Sequence, residues 1–254
     1  MKPIRTINKP KRIFEILLAD GVLLGICLTL GMPGVQAGDF VVYSPYVIQG
    51  QSQVEFRGYS NNDSSNTLDG ERGYVFSIAH SFTDWWKPEI YLGEYQRQSG
   101  QGTQLQAYEF ENTFQLAPTG ECWADMGFLA SYEYATQAGK TSTLEFGPLF
   151  EKRSGRFVHR LNFIWEKQLG GGAANYYGFR TAYSLSYQLR QWFAPGAEIY
   201  LRPHDNAYQI GPVFYGELVN AKGSELEYSA GVVFGANRSA PAQTFVLRLE
   251  YEFF

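Results

Sequence analysis

Side chains that most often carry metal and thiol chemistry are scarce in this sequence, which has two cysteines and three histidines among 254 residues. Cys27 sits in an apolar N-terminal stretch, and its loss with that stretch would leave Cys122 alone. A lone cysteine excludes an internal disulfide. No Cys/His spacing suits a zinc site, so neither a metal nor a cofactor is expected. Basic charge is also in short supply: 21 Lys and Arg face 25 Asp and Glu, for a net charge of −4. That balance, with no run of like charges, argues against a nucleic-acid partner. Beyond the N-terminal region no apolar run reaches the roughly 18 residues that signal a membrane-spanning helix. No stretch holds a 3.6-residue period for two turns, which excludes a helical architecture. Gly170, Gly171 and Gly172 precede no helix, so they are not a phosphate-cradling loop.

The first 37 residues have their own character. Arg5, Lys9, Lys11 and Arg12 form a basic start, GVLLGICLTLG (residues 21–31) is apolar, and Val35 and Ala37 are small. This is the layout of a secretory signal peptide, with cleavage expected after Ala37. The apolar core is too short for the ~20 residues of a spanning helix, and Ile26 before Cys27 does not suit a lipoprotein signal. The sequence thus divides into a cleaved signal over 1–37, a leader over 38–50 and a main domain over 51–254.

What is abundant is aromatic: 19 Phe, 18 Tyr and 5 Trp together make 17% of the chain. Flat rings lose rotamer freedom in helices and fit a pleated surface, so this mix favours strands. From residue 51 the chain breaks into runs of about ten residues that alternate apolar and polar, the period-2 mark of two-faced strands. Twelve are predicted: 51–60, 72–82, 87–97, 104–116, 122–135, 142–152, 156–168, 176–190, 196–202, 208–219, 224–235 and 243–253. In the last, Phe245, Leu247, Leu249, Tyr251 and Phe253 oppose Thr244, Val246, Arg248, Glu250 and Glu252. Gly, Pro, Asn, Asp and Ser dominate the connections.

Two-faced strands can bury their apolar side inward or turn it to lipid around a polar lumen. Bulky aromatic faces on almost every strand would overfill an inward core. Glu and Arg on the opposite face suit a wet, crowded lumen, and Trp85, Trp86, Trp123, Trp165, Trp192, Tyr43 and Tyr46 fall near strand ends as interfacial girdles would. The expectation is an all-β, transmembrane, antiparallel up-and-down barrel of about 12 strands, with 10 or 14 as alternatives. An even number places both termini at one end and the long connection SNNDSSNTLDGE at the other.

The ending LEYEF (Leu249, Tyr251 and Phe253 on one face) resembles the C-terminal signal by which bacterial outer-membrane barrels are recognised for assembly. YVIQGQSQVEFRG, FTDWW, GPLFEKRSGRFVH and FAPGAEIY resemble recurring segments of proteobacterial outer-membrane proteins of an uncharacterised, hypothetical-protein family. These likenesses imply the outer membrane of a Gram-negative bacterium, with lipid and the barrel-assembly machinery as partners. They imply no activity.

No catalytic residue is nominated. Outer-membrane phospholipase-like proteins place Ser and His two residues apart on one strand, a spacing that His80, His159 and His204 do not offer. His204 and Asp205 share a turn, too little for a metal. Cys122 has the face of Met126 and Phe128. The polar face is the informative one. It assigns Glu55, Arg57, Glu109, Glu111, Asp125, Glu133, Glu145, Arg160, Glu166, Arg180, Arg190, Glu198, Arg202, Glu217, Glu227, Arg248 and Glu250 to the lumen, with Glu151, Arg153, Glu225 and Glu252 beside them. Acids outnumber bases, which suits a narrow passive, porin-like channel for small neutral or cationic solutes. The alternative is a non-conducting structural or partner-binding barrel whose charges knit the lumen shut. The leader (38–50) is apolar enough to need burial, as a lumen plug or strap, a surface linker or an edge strand.

Overall fold

The structure is a computed structural model in which residues 40–64, 68–98, 100–173, 177–220 and 223–254 are described. The expected signal peptide and leader positions 38 and 39 lie outside the described residues. Among the described residues the chain forms twelve strands: β1 (Ser52–Asn62), β2 (Arg72–His80), β3 (Trp86–Arg97), β4 (Gln104–Gln115), β5 (Asp125–Ala135), β6 (Ser142–Ser154), β7 (Phe157–Leu169), β8 (Tyr177–Tyr187), β9 (Ala194–Arg202), β10 (Ala207–Val219), β11 (Glu225–Gly235) and β12 (Gln243–Phe253). Each pairs antiparallel with its neighbours in the chain, and β1 pairs with β12 from Ser52↔Phe253 to Asn62↔Gln243. The result is a closed up-and-down barrel with no sheet edge. Both ends of the barrel wall, Ser52 and Phe253, lie at one mouth, termed here the termini end.

The alternation dictates which side chains point where. On β12, Thr244 and Glu250 are buried inside while Phe245, Leu247 and Tyr251 stand exposed outside. The same split holds on β4, where Glu111 and Thr113 are buried and Tyr108 and Phe110 exposed. Outward rings meet across strands. Tyr74 stacks on Tyr95 at 5.2 Å, Phe163 on Phe179 at 6.2 Å and Phe193 on Phe214 at 5.6 Å. Such pairs each add roughly 0.2–1 kcal/mol to a sheet.

Strand β3 breaks the alternation. Tyr91 and Glu94 are both buried although they have opposite parity, and the pairing with β2 and β4 shifts register around them. Gly93 sits in this bulge, where a Cβ would meet the Tyr95 ring at 2.8 Å. One extra residue on the bulged strand turns the following side chains over.

Inside the wall the barrel is not purely polar. Leu129, Leu149 and Ile164 form one buried cluster with Val41 and Tyr43. Ala182, Tyr200, Val213, Val233 and Val246 form another with Val42. A third joins Tyr59, Val75 and Tyr91, with Phe40 packed against it. Leader residues are present in all three, so the middle of the lumen is filled by the segment that precedes β1.

Candidate functional site

The site is the lumen and the strap that crosses it, Phe40 to Gly50. At its inner end Phe40 lies between Tyr59 of β1 and Tyr200 of β9, with ring centroids at 5.3 and 5.4 Å. The Tyr43 N–H donates to Asn162 Oδ1 at 2.7 Å, and Asn162 Nδ2 donates back to the Tyr43 carbonyl at 3.0 Å. Further down, the Val47 N–H donates to Gln115 Oε1 at 2.8 Å and the Tyr46 hydroxyl donates to Asp125 Oδ2 at 2.6 Å. Val41, Val42, Tyr43, Pro45 and Val47 are buried, so Tyr43 and Tyr46 belong to the strap inside the lumen and not to the expected interfacial girdle. Pro45 fits over Gly127 on the inner face of β5, where a Cβ would lie 2.9 Å from the proline Cβ. At the termini end the strap turns at Gly50, whose φ of +83° suits glycine, and enters β1.

Around the strap the charged wall is paired into networks. Glu55 meets Arg57 and also accepts from Arg248 Nη2 at 2.9 Å. Arg57 is further bonded to Tyr91, whose hydroxyl donates to Glu111 Oε2 at 3.1 Å. Glu151, fully buried, accepts from Arg153 Nε at 2.9 Å and Arg160 Nε at 2.7 Å. Arg180 bridges Glu145 at 2.5 Å and Glu166 at 2.9 Å. Glu198 accepts from Tyr200 at 2.6 Å and Tyr215 at 2.7 Å. Glu250 pairs with Arg248.

Sequence-predicted lumen positions fall as follows. Glu55, Arg57, Glu111, Glu133, Arg180, Glu198 and Glu250 are buried inside the wall. Glu109 faces Glu133 across β4 and β5, and Glu227 sits between Glu217 and Glu250 across β10 to β12. Asp125 anchors the strap at the inner start of β5. Arg202 is the last residue of β9. Arg190 is exposed in the turn that bridges to Phe193, between Gln188 and Gln191 at the mouth of the lumen cavity. β8 ends at Tyr187, so the alternation counted through to 190 runs past the strand.

Three features escaped the parity count. Glu89 and Glu94 are both buried inside, on either side of the β3 bulge. Their five-residue spacing around Gly93 is the signal that one residue is extra. Lys87 points inward, with Nζ 3.0 Å from Gln53 Oε1. Ser52 and His80 meet across β1 and β2, with Oγ 2.9 Å from Nδ1. Antiparallel register creates that pair from residues far apart in sequence. Both lie on the outward parity, and among the described residues no acid or amide bonds the other His80 nitrogen. The pair lacks the third, orienting group of a nucleophile–base arrangement.

At the chain's end Leu249, Tyr251 and Phe253 all face outward, and Phe253 stacks on Tyr251 at 5.7 Å. Phe254 is 78% exposed beyond the strand. Cys122 is exposed in the connection before β5 rather than on a strand.

A cavity of about 170 Å³ remains beside the strap. It runs from Gln188 and Gln191 at the termini end to a floor of Phe40, Val41 and Val42, past Arg160, Glu227 and Arg248. No protein-family model and no curated protein matches the chain. The functional reading therefore rests on the barrel and its filling.

Proposed function

We propose that the chain is a barrel of the Gram-negative outer membrane whose lumen is held shut by its own leader, a structural or partner-binding barrel rather than an open pore. The observation that carries this reading is the strap, whose residues 41–43 are buried in the middle of the lumen. Its support for the membrane comes from the exterior. Val54, Phe76, Ile90, Phe110, Ile210, Phe214 and Phe245 are among many large apolar side chains that stand exposed there. Each one left in water forgoes about 1.5–3 kcal/mol of burial. About ten such groups outweigh the roughly 5–15 kcal/mol net stability of a domain, so lipid is the fitting surroundings. The reading includes export with cleavage after Ala37, assembly through the Leu249–Phe253 ending, and membership of a proteobacterial outer-membrane family. It assigns no catalytic role.

A narrow channel for small neutral or cationic solutes is the second reading, favoured by one observation. Glu217, Glu227 and Glu250 line the cavity beside the strap in a row across three strands, and acid rings favour cations.

Membrane residence is tested by fractionation and gel mobility. The reading expects the protein with the outer membrane, folded bands that shift on boiling, and an intact mass that begins at Gly38. Recovery from the periplasm with mobility unchanged by boiling would defeat it.

A further inference from the structure

We infer that the inner wall between β4 and β7 is a binding site for an extended peptide, which the chain's own leader fills as a tethered ligand. The inference stands whether or not the barrel lies in a membrane.

Its first support is how the strap is held. Among the described residues, no backbone-to-backbone hydrogen bond joins Phe40–Val47 to any strand, so the segment is not a thirteenth member of the sheet. Its grip comes from wall side chains instead. Asn162 of β7 takes both the N–H and the carbonyl of residue 43, and Gln115 of β4 takes the N–H of residue 47. Amides that read a backbone in this way hold a segment by its main chain, as peptide-binding sites do, and leave the choice of side chain to the surrounding pockets.

The second support is the shape of the wall. Asn162 has no exposed surface, and both its amide atoms are spent on the strap. Buried amides are kept where they have partners, so this one is placed for a guest. Gly127 clears space for Pro45, and Leu129, Leu149 and Ile164 cluster with Val41 and Tyr43, whose ring also meets the Arg57 guanidinium of β1 at 5.4 Å. Asp125 and Arg153 meet Tyr46, by a 2.6 Å hydrogen bond and by a guanidinium 5.6 Å from the ring. The ligand class is an extended segment with an aromatic residue, a proline two positions later and a tyrosine next to it.

The third is attachment. The strap meets the wall covalently through Ile48, Gln49 and Gly50, which are exposed. A short tether gives a weak ligand a high effective concentration, on the order of millimolar.

The test keeps the full chain. A protease site inserted between Gln49 and Gly50 is cut after folding, in detergent solution, and a fluorescent peptide of residues 40–49 is added. The expected results are co-elution of the cut leader with the barrel, exchange for the labelled peptide, and unchanged β-sheet circular dichroism. Asn162→Ala should speed release roughly tenfold, the loss of about one net hydrogen-bond contribution or slightly more. Gln115→Ala tests the second anchor in case Asn162→Ala does not fold. Four results would overturn the inference: loss of the β-sheet signal on cutting, a fragment that never exchanges, a fragment that leaves and is not replaced, or release rates that neither variant changes.

Discussion

Asn162 and Tyr43 hold each other through two hydrogen bonds, the Tyr43 N–H on Oδ1 at 2.7 Å and Nδ2 on the Tyr43 carbonyl at 3.0 Å. One residue belongs to the wall and the other to the segment before it, 119 positions away. This clasp fixes the leader across the lumen and gives the barrel a filled centre.

Gly127 is the most direct handle on that filling. A Cβ there meets Pro45 at 2.9 Å and the Phe114 carbonyl at 3.1 Å. Gly127→Leu should push the strap away from β5, cost about 1–3 kcal/mol of stability as overpacking does, and expose the backbone N–H groups of Tyr43 and Val47 to hydrogen exchange. Ala130→Leu, on the outward face of the same strand, should leave both quantities close to those of the parent chain.

Glu151 and its two arginines separate buried from exposed charge. The carboxylate has no exposed side-chain surface, Arg160 keeps 22% and Arg153 keeps 63%. Glu151→Ala strands Arg160 and should cost about 3–5 kcal/mol. Arg153→Ala should cost less than about 1 kcal/mol. Urea unfolding of the two variants gives the comparison, and equal losses would mean that the network does not sit as described.

Glu71 carries a pH signature at the end of the barrel opposite the termini. Burial raises its carboxyl pKa above the ordinary value, against the lowering effect of hydrogen bonds from Asn61, Tyr59 and Gln96. A raised folded value means that the folded chain binds the proton more tightly than the unfolded one. Its contribution is complete below the ordinary carboxylate value of about 4.3 and is lost as pH rises through the raised one. Glu71→Gln should therefore flatten the stability curve above about pH 4.3. A variant curve parallel to the parent's throughout would contradict this.

Much of the wall could be read from the chain because strand side chains alternate with an exact period of two. The runs ending in Phe245–Phe253 and spanning Leu226–Phe234 needed no other information to orient Arg248 or Glu227. What escaped the reading was wherever that period breaks or the chain returns from afar. Gly93 inserts an extra residue and hides the inward turn of both Glu89 and Glu94. Arg190 lies past the end of β8, where alternation no longer applies. Asn162 has the parity of any polar wall residue, and its partner is set by tertiary contact across 119 positions. The apolar residues inside, such as Leu149 and Ile164, share a face with charges because the strap needs a dry socket. Ser52 and His80 meet only through the β1–β2 register.

Conductance across a planar bilayer tests the closed lumen most directly. With its leader in place the purified chain should insert without single-channel steps, and Gly127→Leu should bring steps that favour cations over anions. Steady cation-selective steps from the unaltered chain would contradict the closed lumen and return the narrow-channel reading to first place.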